Sequence, residues 1–102
     1  MAVTCADFRH DTADAALLTD RWTATCAARC DTQAGVWRET RLTPVPYDMR
    51  KAPRLTEKGP PGCFLGDYTG LAATCRNLVA VHAQPHGSDP AVVIGTVVRT
   101  RP

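Results

Sequence analysis

Asp14-Ala15-Ala16-Leu17-Leu18-Thr19-Asp20-Arg21-Trp22-Thr23-Ala24-Thr25-Cys26-Ala27-Ala28-Arg29-Cys30 reads in two ways. Leu18, Trp22, Cys26 and Cys30 recur at intervals of four, and Ala15, Ala16, Ala27 and Ala28 favour helix. With Asp14 as cap, the stretch reads as an amphipathic helix. Thr19, Thr23, Thr25 and the turn-like Asp20 oppose that reading. The alternation of Trp22, Ala24 and Cys26 with Arg21, Thr23 and Thr25 fits a strand equally well. The local pattern leaves both open, so the surrounding chain has to decide.

The surroundings read as strands and turns. Val3 to Arg9 predicts a strand with Cys5 and Asp7 on one face and Thr4, Ala6 and Phe8 on the other. Val36 to Leu42 alternates, with Val36, Thr40 and Leu42 on the side of Arg38 and Trp37, Glu39 and Arg41 opposite. Residues 43 to 66 hold Pro44, Pro46, Pro53, Pro60 and Pro61 with Gly59, Gly62 and Gly66, a density of breakers that leaves no regular element of useful length. Thr69 to Thr74 predicts a short strand. Leu78 to Gln84 predicts a stronger one, with Val79, Val81 and Ala83 on one face. Pro85 to Pro90 reads as a turn by residue type, and Ala91 to Thr100, rich in β-branched residues, as the clearest strand.

A weak internal repeat tips the first stretch towards strand. At an offset of about 75 residues, Val3 meets Val79, Cys5 meets Val81, His10 meets His86, Asp14 meets Asp89, and Leu17-Leu18 meet Val92-Val93. Both copies then read strand, polar turn with His and Asp, strand. Repeated sheet units of this period point to a propeller or another radial β array.

Composition narrows the function classes. With 102 residues, 44% hydrophobic and 22% charged, the chain is neither disordered nor membranous in composition. Its longest apolar stretch, Ala91 to Val98, is interrupted by Gly95 and Thr96 and falls far short of the roughly 20 residues of a spanning helix. A net charge of +2 with scattered Arg and Lys gives no nucleic-acid footprint. Met1-Ala2-Val3-Thr4 runs into Cys5 and Asp7 without the pattern of a signal peptide. Cys5, Cys26, Cys30, Cys63 and Cys75 form an odd set. Cys26 and Cys30 are spaced for a metal or disulfide pair, but no second short-spaced pair completes a zinc site. Plain buried thiols are the expectation, because free cysteine packs as a small hydrophobe. No cofactor is implied.

Asp31-Thr32-Gln33-Ala34-Gly35-Val36-Trp37 resembles a degenerate Asp box, the hairpin motif of sialidase-type propeller blades. In that motif the Asp accepts backbone N–H bonds, the Gly takes a positive φ and the Trp packs between blades, which implies structural turn roles for Asp31, Gly35 and Trp37. Arg29 and Val36 stand where the motif has hydroxyl residues. Further along, Tyr47-Asp48-Met49-Arg50-Lys51-Ala52-Pro53, the Pro/Gly-rich spacer, and Cys63-Phe64-Leu65-Gly66-Asp67-Tyr68-Thr69-Gly70-Leu71-Ala72 resemble the last part of bacterial sialidase-like, BNR-repeat propeller proteins. Ala6-Asp7-Phe8-Arg9-His10-Asp11-Thr12 and Thr19-Asp20-Arg21-Trp22 are similar to the strand pair that precedes it there. Departures are Cys63 for an aromatic, Cys5 for a tyrosine, and Cys75-Arg76 for a Gly-containing turn. The lost glycine predicts strain before Asn77 unless Asn77 is left-handed.

The resemblance implies an all-β chain of about one and two-thirds blades of a six-bladed propeller, from its C-terminal part. Residues 1–42 would supply strands of a first partial blade, 43–68 the inter-blade connection, and 69–102 strands of a second. It also implies a sialidase-type glycoside hydrolase, inactive as this piece alone, or a non-catalytic module that binds a glycan or a protein. The partners would be a glycan and either the rest of the propeller or further copies of this chain. The family is mostly secreted. Asp67 and Tyr68, before an innermost strand, and Arg9, at the end of an early one, are the candidate catalytic residues. The bland readings are a turn cap for Asp67 and packing for Tyr68. His10 and His86 read as solvated turn residues and His82 as a satisfied structural one.

Overall fold

Pairing decides the ambiguous stretch: Leu18–Ala28 is a strand that pairs antiparallel with Ala2–Asp7 on one side and Val36–Arg41 on the other, and it buries Thr19 and Thr23. The computed structural model describes residues 1–12, 14–55, 62, 63, 65 and 69–99. The strands are β1 (Ala2–Asp7), β2 (Leu18–Ala28), β3 (Val36–Arg41), β4 (Tyr47–Asp48), β5 (Arg54–Leu55), β6 (Gly62–Cys63), β7 (Gly70–Ala73), β8 (Asn77–His86) and β9 (Asp89–Arg99). Among the described residues the only helical element is a 3-10 turn at Met49–Lys51. Among these residues no helix is long and apolar enough to cross a membrane.

Two antiparallel meanders carry the fold, β1-β2-β3 and β7-β8-β9. β4 pairs with the start of β2 (Leu18 with Asp48, Thr19 with Tyr47), and β5 pairs with β6. In the first sheet Cys5 lies opposite Trp22 and Trp22 opposite Arg41, so Cys5, Asp7, Asp20, Trp22, Glu39 and Arg41 share one face. The other face turns inward. There Leu42, just past β3, joins Leu78, Ala80 and Val98 in one buried cluster, against which Ala2 and Leu71 pack.

The connections differ from the sequence reading in physically simple ways. Pro85 to Pro90 is not a six-residue turn. β8 runs to His86, β9 begins at Asp89, and only Gly87-Ser88 turn the chain. Gly87, at φ +58°, takes the positive φ that a two-residue hairpin of type II′ needs at its first position. The irregularity between Gln84 and His86 absorbs Pro85, which has no N–H to give the ladder. The matching connection between β1 and β2 spans residues 8–17, so the two hairpins of the repeat have unlike loops. Before β8, Thr74 closes the turn instead of a glycine. Its N–H donates to the Asn77 carbonyl (2.8 Å), and its hydroxyl accepts from the Asn77 N–H (3.1 Å). Asn77 needs no left-handed conformation there.

Cys26 and Cys30 form a disulfide, and Cys5 and Cys75 are exposed, so the expectation of plain buried thiols is corrected for these four. Spacing alone does not bring Cys26 to Cys30. A register shift between Cys26 and Ala28, followed by Arg29 at φ +55°, folds the end of β2 back and sets the two Cα atoms 5.7 Å apart.

Candidate functional site

The densest chemistry in the described chain lies on the outward face of the first sheet. Period-two alternation puts Asp20 and Trp22 of β2 beside Asp7 of β1 and Arg41 of β3. The 8–17 connection then carries Arg9 and His10 back over them. The Arg9 guanidinium lies 3.9 Å over the Trp22 ring. Its Nε donates to Asp7 Oδ2 at 2.7 Å and its Nη1 to Glu39 Oε2 at 2.7 Å. The hydrogen bond to Glu39, then that to Asp7, raises the Arg9 pKa above its usual value. The same contacts hold Asp7 and Glu39 below the usual carboxylate range.

Asp20 is the hub of the second half. Its side chain is 1% exposed. Oδ1 accepts from Thr43 Oγ1 (2.6 Å) and from Arg41 Nε (2.9 Å), and Oδ2 lies 2.8 Å from His10 Nδ1. Burial pushes the Asp20 pKa up. The hydrogen bonds from Thr43, His10 and Arg41 outweigh it and leave the carboxyl below its ordinary value. An ionised carboxylate only accepts, so His10 carries its proton on Nδ1. Thr43 also accepts from the Arg21 N–H (3.2 Å), which ties the charge cluster to the backbone of β2.

His10 is therefore not a free turn residue. It packs against Trp22, ring centroids 5.9 Å apart, and belongs to the cluster. The His10–Asp20 pair has the form of a base and its orienting carboxylate. Among the described residues no hydroxyl or thiol hydrogen-bonds to the ring as a nucleophile. Arg9 is placed in this cluster, with its donors on two carboxylates. Asp67 and Tyr68 lie outside the described residues, so the three candidate catalytic residues are not seen brought together. Asp20, Glu39, Arg41 and Thr43 were missed as partners. The signal was there only in the strict alternation of β2 and β3, and reading it needs the strand register.

The 29–35 turn is built by other residues than those singled out. Thr32 N–H and its hydroxyl both donate to the Arg29 carbonyl (3.1 and 2.8 Å), and Gly35 N–H donates to the Thr32 carbonyl (3.1 Å). The positive φ falls on Arg29. Gly35 is required for space, since a Cβ there would stand 2.9 Å from Trp37 Nε1 and 3.0 Å from the Arg29 carbonyl. Asp31 is exposed, and Trp37 is 43% exposed.

The Tyr47–Ala52 stretch acts as a joint. Asp48 Oδ1 accepts from Leu17 N–H (2.9 Å) and Arg50 N–H (3.0 Å), and Arg50 Nη1 donates to the Ala15 carbonyl. Tyr47 stacks on His82 of β8, centroids 6.3 Å apart, and His82 Nε2 lies 2.7 Å from Gln84 Oε1. Burial, helped by the charge of Arg21, pushes the His82 pKa down, and burial pushes that of Tyr47 up. Beside this joint a groove of about 400 Å³ is lined by Val45, Pro46, Tyr47, Lys51, Gln84 and Pro85. A second pocket, of about 350 Å³, lies between Met1, Thr25, Cys26, Ala73 and Leu78. Among the described residues no three of His, Cys, Asp or Glu stand together as metal ligands. Comparison with protein-family models, curated proteins and solved structures finds no match to this chain.

Proposed function

We propose that the chain is a non-catalytic part of a sialidase-like β-propeller, two partial blades that serve glycan binding or hydrolysis only when further sheets complete them. One observation carries the reading: besides the face it turns to the core, the β7-β8-β9 sheet has a second, outward face that is apolar. Leu78, Ala80 and Val98 face the core. The opposite face presents Ala72, Val79, Val81, Ala83, Val93 and Val97, with Gly70 and Gly95 between them. Val81, Val93 and Val97 are 38%, 74% and 64% exposed. A sheet of this composition is normally covered on both sides. The chain is also open for its size. Its radius of gyration is 15.5 Å, against about 13 Å for a compact domain of this length.

The test is a triple variant, Val81→Thr, Val93→Thr and Val97→Thr, which keeps β-branching and removes apolar surface. The wild-type chain is expected to bind a hydrophobic dye strongly. The variant should lose most of that signal while keeping its β spectrum and melting within a few degrees of wild type. A variant that melts much lower, or a wild type that ignores the dye, would mean that the face is already covered within the chain.

The catalytic half of the reading has its own test. The purified chain should release no sialic acid from an aryl sialoside, because the donors of Arg9 are engaged by Asp7 and Glu39 and a channel-centred site draws residues from several blades. Turnover that disappears in Tyr68→Phe would overturn this and restore Tyr68 as a catalytic residue.

A further inference from the structure

We infer that the free edge of β9 pairs antiparallel with the same edge of a second copy, joining two three-stranded sheets into one of six. β9 ends the order β7-β8-β9, and no described strand pairs with its outer edge. That edge lacks most of the devices that keep edges apart. It holds no lysine and no charged side chain between Asp89 and Arg99, its only proline is Pro90 at the start, and its irregularity is confined to the hairpin end.

The ends of the strand indicate which occupant fits. β9 opens with an acid, Asp89, and closes with a base, Arg99, both exposed. Antiparallel self-pairing brings the acidic end of each strand beside the basic end of the other, and parallel pairing would set like charges together. A two-fold axis at Ile94, the midpoint of β9, puts Val93 of one copy opposite Gly95 of the other. A Cβ at Gly95 would meet nothing within 4 Å, so there is a hollow for the valine. Val92, Ile94 and Thr96 are only half-buried, so pairing covers apolar surface on the inward side as well. The assembly closes at two because the opposite edge of the sheet, β7, is only four residues long. One strand edge buries less than the roughly 800 Å² per partner of a standard interface, so the dimer is expected in the micromolar range. It leaves the outer valine face free, so the dye test and the dimer test read different surfaces and can fail separately.

Sedimentation equilibrium of the 102-residue chain from about 1 to 200 μM tests it, with Asp89→Arg, Arg99→Asp and the double exchange, each checked for an unchanged β spectrum. A monomer–dimer equilibrium is expected. Each single reversal should weaken it by about 3- to 10-fold, because both symmetric ends are affected, and the double exchange should recover it to within about 2-fold. A monomer throughout, a trimer or open-ended polymer, or a double exchange no better than the singles would overturn the proposal.

Discussion

Asp20→Ala is expected to lower the unfolding free energy by about 2–4 kcal/mol, the range for removing one member of a buried, hydrogen-bonded charge cluster. The side chain is 1% exposed and is bonded to Thr43, Arg41 and His10 at once. Its loss leaves the Thr43 hydroxyl without its acceptor and the Arg41 guanidinium without a counter-charge. Arg41 and His10 are themselves partly exposed (32% and 44%), and water can recover part of their solvation, which keeps the effect below that of a fully interior pair. For a chain of this length, such a loss lowers the melting temperature by about 10–20 °C. Thermal unfolding followed by circular dichroism reads it directly. Asp14→Ala is the control: Asp14 is exposed and, among the described residues, bonded only to Thr12, so its removal should shift the midpoint by no more than a degree or two. A shift as small for Asp20→Ala would mean that the cluster does not hold the 8–17 connection to the sheet.

The same residue shows why the site was harder to read than the fold. Strand identity was legible because it depends on period. Yet Leu18, Trp22 and Cys26, four apart, satisfy a helix and a strand together, since four is a multiple of two and close to 3.6. The tie is broken only by pairing: Leu18–Ala28 lies hydrogen-bonded between β1 and β3, which no local period reveals. The partners of Asp20 and Arg9 depend instead on register. Arg9 finds Glu39 thirty residues away because β1, β2 and β3 align as they do. A slip of one residue would send Glu39 to the inner face. Loop length was equally hidden. The repeat matched His10 with His86, but the ten-residue connection lets His10 fold onto Asp20, and the two-residue one leaves His86 in the ladder opposite Asp89. The disulfide depended on one left-handed residue, Arg29, whose type does not announce that conformation.

Acid should unfold the protein in two stages, each with a named cause. His82 is 3% exposed, and its burial depresses its pKa in the folded chain. In the unfolded chain it titrates near its ordinary value of about 6.5. As pH falls below that, the unfolded state takes up the proton first and the folded state does not, so stability decreases at up to about 1.4 kcal/mol per pH unit until the folded pKa is passed. The contribution of neutral His82 is thus present above pH ~6.5 and lost below it. Asp20 acts in a lower window with the same sign. Its folded pKa lies below the ordinary value of about 3.9. The unfolded chain again binds the proton first, and stability held above that value drops as pH falls through the folded one. Asp7, Glu39 and Asp48, held down by Arg9 and by the Leu17 and Arg50 N–H groups, steepen this second limb. Urea unfolding at pH 8, 7, 6, 5, 4 and 3 should therefore show two descending limbs. His82→Phe, which keeps a ring against Tyr47 and has nothing to protonate, should abolish the first and leave the second. A flat response between pH 7 and 5, or a first limb that survives His82→Phe, would place the titrating group elsewhere and deny the inter-sheet joint its part in acid sensitivity.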